Sequence, residues 1–236
     1  MVSIAENLRQ VQEKIAAAAE RSGRRAADIT LVGATKMNDA GRIQEAIAAG
    51  LQCCGENRVQ ELLEKLPQGA YEGAQLHFIG HLQKNKAKQI VGKVSLIQSV
   101  DSLELISLID RLALERGIIQ DILLEVNVAG EAAKSGFRPE EVAGILEAAA
   151  QYKGVFIRGL MAVPPICSRG EENIPYFLLM KQLFVDNGAK KYDNTSMGLL
   201  SMGMSGDYET AIACGANMVR VGSAIFGQRI YPARQN

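Results

Sequence analysis

The sequence has no tryptophan, two histidines, four cysteines and six prolines, and its 26 Lys+Arg are cancelled by 26 Asp+Glu. A chain built to hold nucleic acid or an anionic membrane normally carries a basic excess, so a formal net charge of zero favours neither partner. No apolar run approaches the ~18–20 residues needed to span a bilayer. The cysteines (Cys53, Cys54, Cys167, Cys214) show neither zinc-ligand spacing nor a CxxC motif, which fits reduced thiols in a cytoplasmic protein. His77 and His81 have i, i+4 spacing in HFIGH. Gly80 and the strand-like LHFIG run argue against a helix, and no glutamate follows His77, so no metal is expected. The first apolar strand leads into GATKMND rather than GxGxxG, and GxxxxGK[ST] occurs nowhere. Dinucleotide turns and P-loops are thereby removed.

What remains is rich in core-forming residues. Hydrophobic residues make up 47% and charged residues 22% of 236 positions. At about 150 residues per domain the length corresponds to roughly 1.6 domains, and without a long linker one domain over 1–236 is the better reading. Ile4, Leu8, Val11, Ile15 and Ala18 form one stripe of an amphipathic N-terminal helix, unlike the unbroken apolar segment of a signal peptide. Strand candidates then follow at Ile29–Thr35, Leu51–Cys54, Leu76–Ile79, Ser95–Ser99, Asp121–Val128, Ile157–Ala162, Gly198–Met202 and Met218–Val221. Helical patterns alternate with them at Ala40–Ala49, Arg58–Lys65, Asn85–Val91, Ser102–Arg116, Pro139–Gln151, Tyr176–Asn187 and Asp207–Cys214. Alternation of this kind implies right-handed crossovers and a parallel sheet. The pattern predicts an α/β fold, a single (β/α)8 TIM barrel with an extra N-terminal helix. Cys53 and Cys54 should point to opposite faces of their strand.

A barrel places its site at the C-terminal ends of the strands. Those positions carry Lys36, Asn57, His81, Met161, Ser201, Ser205, Arg220, Gly222 and Ser223. Lys36, above a hydrophobic barrel interior, can have its ammonium form disfavoured and attack carbonyls; equally, it can be a surface lysine with a packed stem. The turns SMGMSGD at 201–207 and RVGSAIFG at 220–227 offer hydroxyls, glycines and helix N-termini to a phosphate. The plainer alternative is that Ser205 or Asp207 caps a helix and the glycines make turns. His77 reads as a hydrogen-bonded core or rim residue and His81 as a lining residue. Lys84, Lys86, Lys88 and Lys93 read as a solvated helix face, and Met161, Met202 and Met204 as packing.

Several ordered segments carry a resemblance: GATK at 33–36, GENRVQE at 55–61, HFIGHLQKNK at 77–86, KSGF at 134–137, RGLMAVPP at 158–165 and SMGMSGDYETAIACGANMVRVGSAIFG at 201–227. Over nearly its full length the chain resembles the pyridoxal 5′-phosphate homeostasis protein family (the YggS/PROSC family), itself similar to the barrel domain of bacterial alanine racemases. The resemblance implies pyridoxal 5′-phosphate (PLP) on Lys36 as a Schiff base. It also implies that Ser201, Gly222 and Ser223 hold the phosphate with Ser205 nearby, that Arg220 faces the pyridine nitrogen, and that Asn57, His81 and Met161 line the pocket. Two departures stand out. Where the family commonly reads SKTKP, this chain has Thr35-Lys36-Met37-Asn38-Asp39, which puts a relay role for a second lysine in doubt. Ser223 replaces the commoner threonine and keeps the hydroxyl.

The function implied is intracellular PLP homeostasis in the cytoplasm, without appreciable catalysis and with PLP-dependent apo-enzymes as conceivable recipients. Nine residues follow Gly227, so no racemase-type β-domain is expected to supply a second base or a dimer contact, and a monomer is the expectation. The competing readings are a PLP-dependent racemase-like enzyme using Lys36 and His81, and an aldolase-like barrel whose lysine attacks substrate directly.

Overall fold

A computed structural model describes residues 3–131 and 133–227. Strands β1 (Thr30–Ala34), β2 (Cys53–Glu56), β3 (Gln75–Phe78), β4 (Leu96–Val100), β5 (Gln120–Glu125), β6 (Val155–Met161), β7 (Thr195–Ser201) and β8 (Met218–Val221) close into a barrel in chain order. Every pairing is parallel, including the closing pair, in which Thr30 lies opposite Met218 and Gly33 opposite Val221. The expected fold class is therefore correct.

Helix α1 (Ile4–Arg21) precedes the barrel, and Ser3 starts it by accepting the Glu6 N–H at 3.1 Å. Its predicted stripe is the buried one: Ile4, Leu8, Val11, Ile15 and Ala18 are all below 9% exposed. Each large aliphatic among them contributes about 1.5–3 kcal/mol by leaving water. The outer helices are α2 (Ala40–Ala48), α3 (Val59–Lys65), α4 (Lys84–Ile90), α5 (Leu103–Leu114), α6 (Val142–Ala149), α7 (Ile174–Gly188), α8 (Tyr208–Ala213) and the short α9 (Ser223–Phe226). Asp39, one of the departures noted above, caps α2 by accepting the Arg42 N–H at 2.9 Å.

The core has two layers. Val32, Cys53, Ile79, Leu96, Leu123, Met161 and Met218 fill the barrel interior, while the larger cluster lies between strands and helices. Cys53 belongs to the first and Cys54 to the second, as alternation requires. All four cysteines are free thiols. No helix among the described residues is long and apolar enough to cross a membrane.

Element ends differ from expectation where polar groups decide them. β2 runs through Gly55 and Glu56, which look unlike a buried strand, because the Glu56 carboxylate is satisfied inside the fold. β5 stops at Glu125, after which Val126 makes a single bridge to Phe137 as the chain turns away. The helical pattern from Pro139 opens with a 3₁₀ turn at Pro139–Glu141, and another 3₁₀ turn at Gly170–Asn173 sits in the loop-like stretch before α7. Helix α9, only four residues long, is too short for periodicity to announce.

Candidate functional site

Lys36 stands in the turn that follows β1 and is partly buried. Beside it, the Thr35 hydroxyl lies within hydrogen-bond distance of the Gly55 carbonyl (3.1 Å) and a Glu56 carboxylate oxygen (3.0 Å), tying the end of β1 to β2. Asn57, just past β2, donates its N–H to Glu56 Oε1 at 3.0 Å, while its own side-chain Oδ1 is buried without a hydrogen-bond partner among the described residues. An orphaned buried acceptor costs about 1–3 kcal/mol, so a donor from a ligand would be welcome there. Gly80 lets β3's end approach: a Cβ there would sit 2.1 Å from the Asn57 carbonyl oxygen.

The turns after β7 and β8 meet around one hydroxyl. Ser205 Oγ accepts the backbone N–H of Gly222 at 3.1 Å and of Ala224 at 3.5 Å. Neither Ser205 nor Asp207 caps α8 through its side chain. Asp207 instead takes the Met204 N–H at 2.6 Å and the Asn173 amide at 2.8 Å, fixing the loop that carries Ser205. Gly203, at φ +94°, allows the sharp exit from β7, where a Cβ would lie 2.6 Å from that of Ala211. Ser223 begins α9, whose far end is held from two sides: Asn7 of α1 donates to the Ile225 carbonyl at 3.0 Å, and Arg42 of α2 to that of Phe226. A Cβ on Gly222 would lie 3.3 Å from that of Ala34, two residues before Lys36. The closing β8–β1 pair thus sets a ring of N–H donors beside the lysine turn.

Arg220, on β8, is 4% exposed. Its Nη1 donates to Ser201 Oγ at 2.5 Å and its Nη2 to the Ala162 carbonyl at 2.8 Å, and burial lowers its pKa to about 10 despite the charges of Glu125 and Asp207. Ser201, wholly buried, donates to Gln98 Oε1 at 2.7 Å. Gln98 Nε2 in turn meets His77 Nδ1 at 3.0 Å. One polar chain therefore crosses the barrel from β3 through β4 and β7 to β8, and His77 is its hydrogen-bonded core end. Met161, 1% exposed, belongs to the apolar layer beneath the mouth. His81 is exposed on the rim, with Nδ1 3.2 Å from Asp101 and 3.1 Å from Ser135 Oγ.

With that geometry described, the chain can be set beside known proteins. The family model for the N-terminal domain of alanine racemase matches residues 3–230. The pyridoxal phosphate homeostasis protein of Aquifex aeolicus (strain VF5) is 42% identical over 226 residues, which is 96% of this chain and 98% of that protein. The chain belongs to the pyridoxal phosphate homeostasis protein family. The Escherichia coli (strain K12) member is 37% identical over 98% of this chain and 99% of its own length. Among solved structures, PipY of Synechococcus elongatus PCC7942 with PLP bound superposes with a TM-score of 0.81 at 32% identity, covering 95% of this chain and all of that one. Alanine racemase of Clostridium difficile 630 gives 0.70 at 15% identity over 97% of this chain and 58% of its own, a likeness of fold alone.

Two groups in this homeostasis-family site escape motif reading. Gln98 looks like an ordinary strand residue, and only its zero exposure reveals it as the hinge of the polar chain. Glu125 ends β5, where the strand-end rule could have flagged it. Burial and the neighbouring Asp101 charge raise its carboxyl to about 7, against the pull of Arg220. His77 moves the other way, to about 4, through burial. The signs give a test. Glu125 keeps its proton in the folded state up to about pH 7 but loses it near 4.5 when unfolded, so it costs stability as pH rises through that window. His77, neutral in the fold, costs stability as pH falls from 6.5 to about 4. Glu125→Gln is therefore expected to match the parent below pH 4.5 and to gain on it towards pH 7, by up to about 3 kcal/mol. Urea melts across pH 4–8 read the difference; parallel profiles would contradict the assignment.

Proposed function

We propose that this chain binds PLP and holds it in reserve, buffering or delivering it in vitamin B6 homeostasis, without appreciable catalysis. The observation that carries this reading is the juxtaposition at the β8–β1 closure. An amine-bearing turn lies beside the backbone N–H groups of Gly222 and Ala224, which converge on one serine oxygen, Ser205 Oγ, and could be offered to a phosphate instead. The fit is good at each end. Ser205, Gly222, Ser223 and the first N–H groups after β8 would take the phosphate, with Ser205 Oγ giving up its backbone donors to it. Arg220 would face the ring nitrogen. Ser201, expected among the phosphate residues, is buried with its hydroxyl committed to Gln98 and Arg220 and would brace Arg220 instead. Asn57, His81 and Met161 would line the remaining walls.

When bound, the cofactor supplies an aldehyde that takes up amines and a ring that draws off electron density. Lys36 would supply the amine for that aldehyde. Arg220 has donors only and could not accept a proton from the ring nitrogen, so it would keep the ring a weak electron sink. That suits storage better than transamination. The whole chain, 1–236, acts as one unit in this reading, in the cytoplasm, as a monomer, and passes PLP to dependent apo-enzymes. The free thiols support the compartment.

Borohydride reduction of the PLP-treated protein, followed by intact mass and peptide mapping, tests the covalent step. The expected result is one adduct, on the peptide containing Lys36. One observation favours a racemase-like alternative: Glu125, near pKa 7 beside Arg220, has the acidity of a proton carrier. Exchange of an amino acid's α-proton well above a no-protein control would select that alternative.

A further inference from the structure

The turn carrying Lys36 is held by groups that never need to touch a ligand. Asn38 N–H donates to the Thr35 carbonyl at 3.1 Å, making Lys36 and Met37 the two central residues of a tight turn. Met37, at φ +62°, is the one non-glycine residue in the left-handed region among those described. Glycine or asparagine is the usual choice where a turn needs positive φ. The Met37 side chain is 46% exposed, so side-chain packing does not explain the conformation. Its backbone does: the Met37 N–H donates to Glu61 Oε2 at 2.8 Å.

Glu61 is one end of a buried charge network. Lys65 Nζ, on the last turn of α3, lies 3.1 Å from Glu61 Oε2, 2.9 Å from Glu56 Oε2 and 3.3 Å from the Thr35 carbonyl. Glu56 is wholly buried and also takes the Tyr71 hydroxyl at 3.0 Å and lies against the Thr35 hydroxyl. Burial alone would raise the Glu61 pKa, yet the Met37 N–H and the Lys65 ammonium hold it below its ordinary value. The residues on both sides of Lys36 are therefore gripped by one ammonium and two carboxylates. We propose that Lys65 and Glu61, anchored by Glu56, are positioning residues for Lys36: they hold its turn in the single backbone conformation that presents the amine at the barrel mouth. The inference rests on the PLP-binding reading above and adds the device that sets the lysine.

Removing Lys65 would leave Glu56 buried and unpaired, so Glu61 is the better probe. Glu61→Ala, in the full chain, is expected to fold and still to yield the borohydride-trapped adduct on Lys36. Its affinity for PLP should fall about tenfold, the scale of one charge-assisted backbone bond, and the visible circular dichroism of the bound cofactor should weaken as its orientation loosens. Glu61→Gln keeps an acceptor for the Met37 N–H, and Met37→Gly placed in the Glu61→Ala background removes the steric penalty of positive φ. Both should recover most of the affinity and the dichroism, which a general loss of stability would not. Parent-like affinity and dichroism in Glu61→Ala would overturn the proposal, as would a loss that neither rescue recovers. If the parent itself takes up no PLP, the underlying reading falls, and this one with it; the parent sample tells the two failures apart.

Discussion

Lys36→Ala, treated with PLP and then freed of unbound cofactor, is expected to be colourless and to give no mass increase after borohydride, while melting within about 1 kcal/mol of the parent. The two halves of that result have separate physical origins. Loss of the adduct follows because the substitution deletes the amine assigned to the aldehyde. Retention of the fold follows from where Lys36 stands: outside β1, partly exposed, in a turn that backbone groups and the neighbouring side chains also hold. Thr35 still meets Glu56, and the Met37 N–H still reaches Glu61. A variant that unfolds would show that the lysine stem is structural, and a variant that still carries a reducible adduct would move the covalent site elsewhere. Visible absorbance and thermal melts on the same sample separate these outcomes.

The barrel was readable because each strand is a short branched-apolar run followed by a helical period, and because a parallel barrel has only one end at which to build a site. Lys36, Ser205 and Gly222 fall in the turns after strands, and Arg220 lies one residue before the end of β8, so that rule directs attention to them. Other features were hidden for a common reason: they depend on polar partners that apolar periodicity does not mark. Glu56 lies within a strand that composition would end two residues earlier, since nothing local reveals that the Lys65 ammonium pairs with it and the Tyr71 hydroxyl donates to it. Gln98 gains its role from Ser201, 103 positions later. Asp207, next to a helix, reads as a cap, yet its carboxylate serves Met204 and Asn173. Apolar periodicity reports what is buried but not which buried polar groups find each other.

Arg220→Glu shows how much that second kind of information matters. Charge alone suggests weaker PLP retention, since the guanidinium donor to the ring nitrogen's lone pair is lost. The buried surroundings of Arg220 predict a larger effect. The substitution would strip the donors from Ser201 Oγ and the Ala162 carbonyl and place a carboxylate near Glu125 and Asp207. An uncompensated buried charge of this kind costs about 3–5 kcal/mol, a large share of the ~5–15 kcal/mol that holds a typical domain together. Arg220→Glu is therefore expected to lower the melting temperature sharply and to lose PLP chiefly by losing the fold. Arg220→Lys separates the two effects. It keeps the positive charge facing Glu125 but cannot reach Ser201 and the Ala162 carbonyl with one planar fork. It should fold, release PLP faster than the parent, and shift the visible band as the contact to the ring changes. A lysine variant with the parent's band and release rate would remove Arg220 from the ring and leave it a purely structural brace of β6, β7 and β8.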